Sequence, residues 1–481
     1  MLMGDNDKTE LIWSGKIEKE RILDIIKEFK EQNFQISEIF ANKKDKLKSI
    51  WKNKLIYGNN KIAMAILLRE FKGKINLIYI DPPFATGTDW NYKIRIGEDR
   101  KSIKEEQSPL EEKAYKDTWG KGINNYLQMI YERLFLMREL LSENGSIYVH
   151  LDRNIVHYVK IIMDEIFGSD CFRSQIIWNT ASINVAGFKT QANNWIYAQG
   201  IILYYTKNKD QFVFNRQYIK NLKYRHEDEK GKYRITRRKK EKVYESEDVG
   251  DPMTDVWNDI LSFNYVKAAL ESVGYPTQKP EALLERIILA SSNPGDLIAD
   301  FFSGSGTTLL VAEKLGRKWI GCDSSRYGIH VTRKRLLDRE DFKDINMHSN
   351  YNTNINVFEI LNLENNEINE SSAFKIKLSS QKFKVNLELI DFKPSNLASI
   401  SKRIIKNVKK WSDFIDYWSV DFNFNDEVFK NDWISFRTWS NRYLNLKSSH
   451  LYEFPGKYHI QVKVIDIFGK ESSQKFMINV N

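Results

Sequence analysis

The stretch from Asp296 to Asp323 constrains the fold more than any other part of the sequence. An apolar run, Asp296–Phe302, stops at Ser303-Gly304-Ser305-Gly306; Thr307–Leu315 then has helical spacing, and Lys318–Cys322 is a second apolar run ending at Asp323. Strand, glycine loop, helix and strand form the repeating unit of a parallel α/β sheet, because the helix carries the chain back so that the next strand runs in the same direction. The same alternation is readable upstream. Ile75–Ile80 predicts a buried strand that stops at Asp81-Pro82-Pro83-Phe84. Ile123–Leu141 keeps helical spacing through Tyr126, Ile130, Leu134 and Met137, with Gly145 as a stop. A strand at Ser146–Leu151, a helix over Ile155–Phe167 and strands at Ser174–Trp178 and Gly200–Tyr205 follow, and Pro280 opens a helix to Ser292. The predicted class is α/β, a Rossmann-like, mostly parallel twisted sheet.

Around this core the 481 residues divide further. Residues 1–50 read as a charged helical segment, 51–206 as one half of the α/β domain and 276–340 as the other, 341–373 as an Asn- and Glu-rich linker. From 374 to 481 short alternating stretches (Phe374–Leu378, Lys384–Leu389, Ser419–Phe424, Tyr458–Ile465, Ser473–Val480) predict a small β-sandwich. The insertion 207–275 is basic: Lys207–Val243 holds 14 basic and 5 acidic side chains against a net +10 for the chain, with Tyr218, Tyr224 and Tyr233 interleaved. A solvated loop is the bland explanation; beside a catalytic domain, a phosphate-contacting surface explains it better, with Arg225, Arg234 and the run Arg237-Arg238-Lys239-Lys240 as contacts. Two cysteines, Cys171 and Cys322, leave no disulfide framework and point to a reducing, cytoplasmic setting. No apolar run approaches the ~20 residues of a membrane span, so no membrane partner is expected, and no metal-ligand pattern stands out.

The two loops at strand ends carry the chemistry. A dinucleotide fingerprint would place glycine where Leu309 stands, and a phosphate loop would follow Gly306 with lysine rather than Thr307. What remains is an acid before the loop, Asp300, suited to a ligand's ammonium group, and an acid after the next strand, Asp323, suited to a ribose hydroxyl pair. S-adenosylmethionine carries both groups. In Asp81-Pro82-Pro83-Phe84 the prolines stiffen the loop. The Asp81 carboxylate and the Pro82 carbonyl can then converge on one exocyclic amine, and Phe84 offers a face for a flipped base. A rigid turn with a buried aromatic is the alternative.

Together with Leu55-Ile56-Tyr57-Gly58-Asn59, the segment Gly145–Asp152, Pro276-Thr277-Gln278-Lys279-Pro280 and Asp300–Thr308, these loops resemble the β class of DNA amino-methyltransferases. The similarity is greatest to the adenine-N6 enzymes of the type III modification-subunit kind, in an order that places the catalytic loop first, the basic insertion next and the cofactor loop last. The resemblance covers about Leu55 to Asp338 and implies a seven-stranded sheet, S-adenosylmethionine as cofactor and double-stranded DNA as partner. It implies Asp81, Pro82, Pro83 and Phe84 as the catalytic loop. It places Phe302, Gly304, Gly306 and Thr307 with Asp300 around the methyl donor, Asp323 on its ribose, and Thr277 and Lys279 beside its methionine tail. Asn59 departs from the family's Gly-Asp; it is kept among the cofactor residues, able to bond an adenine edge without negative charge.

His150 and Asp152 read as structural, Asp117 and Trp119 as closing over substrate or capping the next helix, Trp178, Trp195 and Trp257 as packing, and Cys322 as a buried hydrophobe. The rival functions are cytosine-N4 methylation, disfavoured by the aspartate that opens the loop, and a non-catalytic DNA-binding module. The C-terminal sandwich resembles an immunoglobulin- or PKD-like module that clamps DNA, dimerises the chain, contacts a separate restriction endonuclease subunit or only stabilises.

Overall fold

The computed structural model describes residues 9–29, 31–40, 51–83, 91–99, 102–106, 122–180, 193, 195, 197–219, 223–236, 240–263, 271–338, 357–363, 372–395 and 397–481. Its main sheet is built from β1 (Phe34–Phe40), β2 (Asn53–Tyr57), β3 (Ile75–Ile80), β4 (Leu141–Leu151), β5 (Phe172–Asn179), β6 (Gln199–Thr206), β7 (Val256–Trp257), β8 (Leu297–Asp300), β9 (Lys318–Asp323), β10 (Phe358–Leu363) and β11 (Phe429–Lys430). Their order is β7-β5-β6-β4-β3-β8-β9-β2-β10-β1-β11. From β4 through β3, β8, β9 and β2 to β10 all pairings are parallel, and β6 runs antiparallel to both its neighbours.

Alternation along the central strands explains why both faces are covered. In β3, Ile78 and Ile80 enter one buried cluster while Leu77 and Tyr79 enter the other. On the first face lie α1 (Lys19–Glu28), α2 (Asn60–Phe71), α3 (Ile123–Leu140) and α4 (Val156–Phe167), contributing Leu67, Leu134 and Ile162 among others. On the second lie α5 (Glu281–Ser291), α6 (Thr307–Lys314) and α7 (Arg326–Leu337), contributing Ile287, Leu309 and Leu336. Strands buried on both sides need uninterrupted apolar runs, which is why these were readable in the sequence.

Among the described residues the sheet has eleven strands where seven are expected. The additional four come from segments with other expected roles. The amino-terminal segment contributes β1 as well as a helix, the supposed linker contributes β10, the basic insertion contributes β7 and the sandwich contributes β11. Gly145 is not a helix stop. The chain passes from α3 directly into β4, where a Cβ on Gly145 would lie 2.9 Å from the Ser142 carbonyl and 3.0 Å from that of Ile75.

Beyond residue 372 two antiparallel sheets pack face to face. One comprises Ala373–Gln381, Lys384–Lys393 and Lys447–Leu451; the other comprises Trp433–Phe436, Ile415–Asp421, Gly456–Asp466 and Glu471–Val480. Val385, Leu387 and Leu389 share one buried cluster with Trp418, Val420, Val462 and Val464. That cluster also takes in Ile94, Ile96 and Ile103 of a hairpin (Asn91–Arg95 with Ser102–Glu106) and Tyr327 and Val331 of α7. Buried charge pairs complete the junction. Glu38 lies 2.5 Å from Arg333 and 3.0 Å from Lys463, and His330 lies 3.0 Å from Asp416. Burial alone would raise the Glu38 carboxyl; Arg333 and Lys463 hold it below the usual range.

Candidate active site

β3, β8 and β9 are adjacent and parallel, so their carboxyl ends open on one edge of the sheet, and each ends in an aspartate. Asp81 follows β3, Asp300 closes β8 and Asp323 closes β9. Ligands of open α/β sheets bind at this edge.

Asp81 is half-buried, and loss of solvent pushes its carboxyl up while Lys279 pulls it back. Its Oδ2 is ion-paired with the Lys279 ammonium. Its Oδ1 is buried with no hydrogen-bond partner among the described residues. Lys279 also donates to the Thr277 carbonyl at 3.1 Å. Thr277 itself has φ +66°, a left-handed conformation that a β-branched residue adopts at a cost of about 1–3 kcal/mol. The strained turn aims the lysine at the catalytic loop from a segment 198 residues away.

The glycine loop is organised by the other two aspartates. Asp300 accepts from the Phe302 amide at 3.0 Å and from the Thr308 hydroxyl at 2.5 Å. Burial raises its carboxyl to about 7 against those bonds, with the nearby charges of Asp81 and Asp323 adding to the rise. Asp323 accepts from the Gly304 amide at 2.7 Å and the Ser325 amide at 2.8 Å; burial raises its carboxyl and these amides oppose the rise. Gly304 and Gly306 have φ +49° and +72°. At Gly306 a Cβ would also fall 2.5 Å from Thr332, so neither the backbone conformation nor the space admits a side chain.

Asn59 caps α2, accepting from the Lys61 amide at 2.9 Å. Its neighbour Asn60, which sequence reasoning missed, donates to the Phe301 carbonyl at 2.7 Å and accepts from Arg133 at 2.6 Å. Arg133, also missed, is buried and reaches Asn59 at 3.4 Å; burial lowers its guanidinium to about 10. The paired asparagines at a strand end were the available signal for both. Tyr275 was missed as well. Its ring lies 3.2 Å from where a Cβ on Gly304 would stand, and it stacks on Tyr327 with centroids 6.0 Å apart.

His150 and Asp152 have structural partners. The His150 Nδ1 meets the Tyr79 hydroxyl at 3.0 Å, and burial holds its imidazole neutral. Asp152 accepts from the Asn154 amide at 2.6 Å. Trp178 and Trp257 are buried, as packing requires, whereas Trp195 is 94% exposed, contrary to expectation. Cys322 is fully buried. In the basic insertion, His226–Asp228, Gly231–Ile235 and Lys242–Tyr244 form a small sheet. Arg234, expected on DNA, is ion-paired at 2.5 Å with the buried Asp248, while Arg225 and Lys240 are exposed. Phe84, Arg237, Arg238, Lys239, Asp117 and Trp119 lie outside the described residues.

An Asp-Pro-Pro loop and a glycine loop thus follow neighbouring parallel strands, and the first of them carries a buried acceptor with no partner among the described residues. A DNA methylase family, N6_N4_Mtase, matches residues 75–334, and the chain belongs to it. The type II methyltransferase M.EcaI of Enterobacter cloacae is 29% identical over 338 residues, 59% of this chain and 69% of that protein. The DNA adenine methyltransferase YhdJ of Escherichia coli strain K12 is 28% identical over 285 residues, 59% and 82% of the two chains. The EcoP15I Mod subunit, of a type III restriction-modification enzyme of Escherichia coli, is 32% identical over 181 residues, 35% of this chain but only 27% of that protein.

Proposed function

We propose that the chain methylates the N6 amine of a flipped adenine in DNA, using S-adenosylmethionine. The observation that carries this reading is the Asp81 Oδ1: a buried acceptor without a partner among the described residues, at the strand end beside the glycine loop. An exocyclic amine supplies the missing donor. Asp81, with the Pro82 carbonyl beside it in the sequence, draws on both amine hydrogens, which frees the nitrogen lone pair from the ring. The proton leaves to solvent after attack, so no general base is needed. Phe84 stacks the flipped base.

Asp81, Asp300 and Asp323 set three carboxylates at one edge, opposed by Lys279. That balance fits a ligand carrying both a sulfonium and an ammonium charge. Asp323 holds the ribose hydroxyls, Phe302, Gly304, Gly306 and Thr307 line the adenosine side, and Thr277 and Lys279 border the methionine tail. When bound, S-adenosylmethionine supplies an electrophilic methyl group on its sulfonium. The preference for adenine over cytosine rests on the aspartate that opens the catalytic loop and on the adenine enzyme YhdJ among the relatives. Similarity to Mod subunits supports a place in a restriction-modification system, with cleavage in a separate subunit. The basic insertion, through Arg225, Lys240 and the Arg237-Arg238-Lys239 run, contacts duplex DNA.

The raised Asp300 carboxyl makes cofactor binding pH-dependent. A cationic ligand favours the ionised carboxylate, so below about 7 binding must expel a proton. Affinity then falls by up to about ten-fold per unit of decreasing pH. Calorimetry in buffers of different ionisation heat reads both the affinity and the released proton; a flat profile from pH 6 to about 8 would show that Asp300 does not sense the ligand's charge. In cells expressing the chain, sequencing that detects modified bases is expected to place methyladenine within one defined sequence. Modified cytosine, or none, would overturn the adenine reading.

A further inference from the structure

The basic insertion is not the only concentration of positive charge. Residues 373–410 hold ten basic and two acidic side chains, a net +8, next to the +9 of Lys207–Val243. Outside these two windows the chain has 50 basic and 57 acidic residues, so its whole basic surplus resides in them. The second window opens the C-terminal sandwich.

Its densest part is Ser401–Lys410. Ser401 caps a short helix, Lys402–Asn407, and the fully buried Ile404 anchors that helix in the sandwich core. Lys402, Arg403, Lys406, Lys409 and Lys410 are all exposed. The Asp413 carboxylate fixes the end of the run, accepting from the Lys409 amide at 2.8 Å and the Lys410 amide at 3.0 Å. Lys410 pairs with Glu98 at 2.7 Å; among the described residues, Lys402, Arg403, Lys406 and Lys409 form no ion pair. A fixed backbone presenting like charges without neutralising acids suits a polyanion, whose counterions such a surface displaces.

The position relates the run to the catalytic edge. Gly97, at the tip of the hairpin that follows the catalytic loop, donates its amide to the Asp413 carbonyl at 3.3 Å, and Arg442 ties the Gly97 carbonyl at 3.0 Å. The same hairpin bonds Gly274 through the Lys93 amide at 3.2 Å, five residues before the lysine paired with Asp81. Chain reach along this path puts the near end of the run, Lys410, within about 65 Å of Asp81. That is about two turns of duplex.

We infer that the exposed basic run Lys402–Lys410 of the sandwich is a second DNA-backbone contact surface, which grips the duplex to one side of the flipped base. This rests on the DNA-methyltransferase reading. Such a surface sets affinity and register; it does not read sequence. The full chain carrying Lys402→Gln, Arg403→Gln, Lys406→Gln and Lys409→Gln tests it by fluorescence anisotropy on a duplex of about 30 base pairs, across a salt series. Glutamine keeps helix propensity, so the fold is expected to survive. The expected result is a log–log salt slope smaller by about 3 to 4, and affinity at about 0.1 M salt lower by ten-fold or more, with S-adenosylmethionine affinity unchanged. If the fourfold variant does not fold, the two paired variants, Lys402→Gln with Arg403→Gln and Lys406→Gln with Lys409→Gln, are each expected to lower the slope by about 2. An unchanged slope in a variant that binds cofactor overturns the surface, as does binding to anionic vesicles that alone responds to the substitutions. A wild-type chain that binds duplex but transfers no methyl group overturns the functional reading instead.

Discussion

Asp81→Ala is expected to lower methyl transfer by at least about 1000-fold while S-adenosylmethionine still binds. The carboxylate is at the end of β3, its Oδ2 on Lys279 and its Oδ1 buried and unpartnered among the described residues. Removing it takes away the acceptor that orients the amine and draws on its hydrogens, and both contributions are made mainly in the transition state. The substitution leaves the glycine loop intact, since Asp300 and Asp323 hold that loop through their own bonds to Phe302, Thr308, Gly304 and Ser325. Lys279 keeps the Thr277 carbonyl. Asp81→Asn discriminates further: it retains size and one acceptor but gives up the ion pair, and falls between wild type and alanine. Near-normal turnover in the alanine variant would remove Asp81 from the chemistry.

Asp323→Ala is expected to weaken S-adenosylmethionine binding about 100-fold in calorimetry. Two losses combine. The charged acceptor for the ribose hydroxyls disappears, worth about 1.5–3 kcal/mol. The Gly304 amide, which donates to Asp323 at 2.7 Å, is left without its acceptor, so the loop that frames the cofactor loses its fixed end. Asp323→Asn keeps one acceptor and is expected to lose less. An alanine variant that binds with unchanged affinity would sink the ribose assignment.

The parts of this site that are local in sequence were legible there. β3 and β8 are buried on both faces, so each shows as an apolar run, and each run stops at an aspartate followed by a stiff or glycine-containing loop. A crossover connection then forces both loops to one edge. What the sequence hid depends on pairing between distant segments. The Lys279–Asp81 ion pair joins residues 198 apart, and Arg133 reaches Asn60 across 73. No periodicity reports such contacts. β10 was hidden for a different reason. Phe358–Leu363 is flanked by asparagines and reads as linker, yet it is buried because β1 and β2 pair with it from either side. Trp195 failed in the opposite sense: a large aromatic is a packing residue by default, and this one is exposed. The second basic window was visible in the composition, but only its anchoring beside the hairpin gives the charge a place relative to Asp81.

The chain is proposed to transfer a methyl group to adenine N6 through the Asp81 loop. The most direct test is to incubate the purified full chain with unmethylated duplex DNA and S-adenosylmethionine, digest the DNA to nucleosides and identify the methylated base by mass spectrometry. The expected product is N6-methyldeoxyadenosine with the wild-type chain and none above background with Asp81→Ala; N4-methyldeoxycytidine, or the same adenine product from both proteins, would contradict a role of Asp81 in N6 transfer.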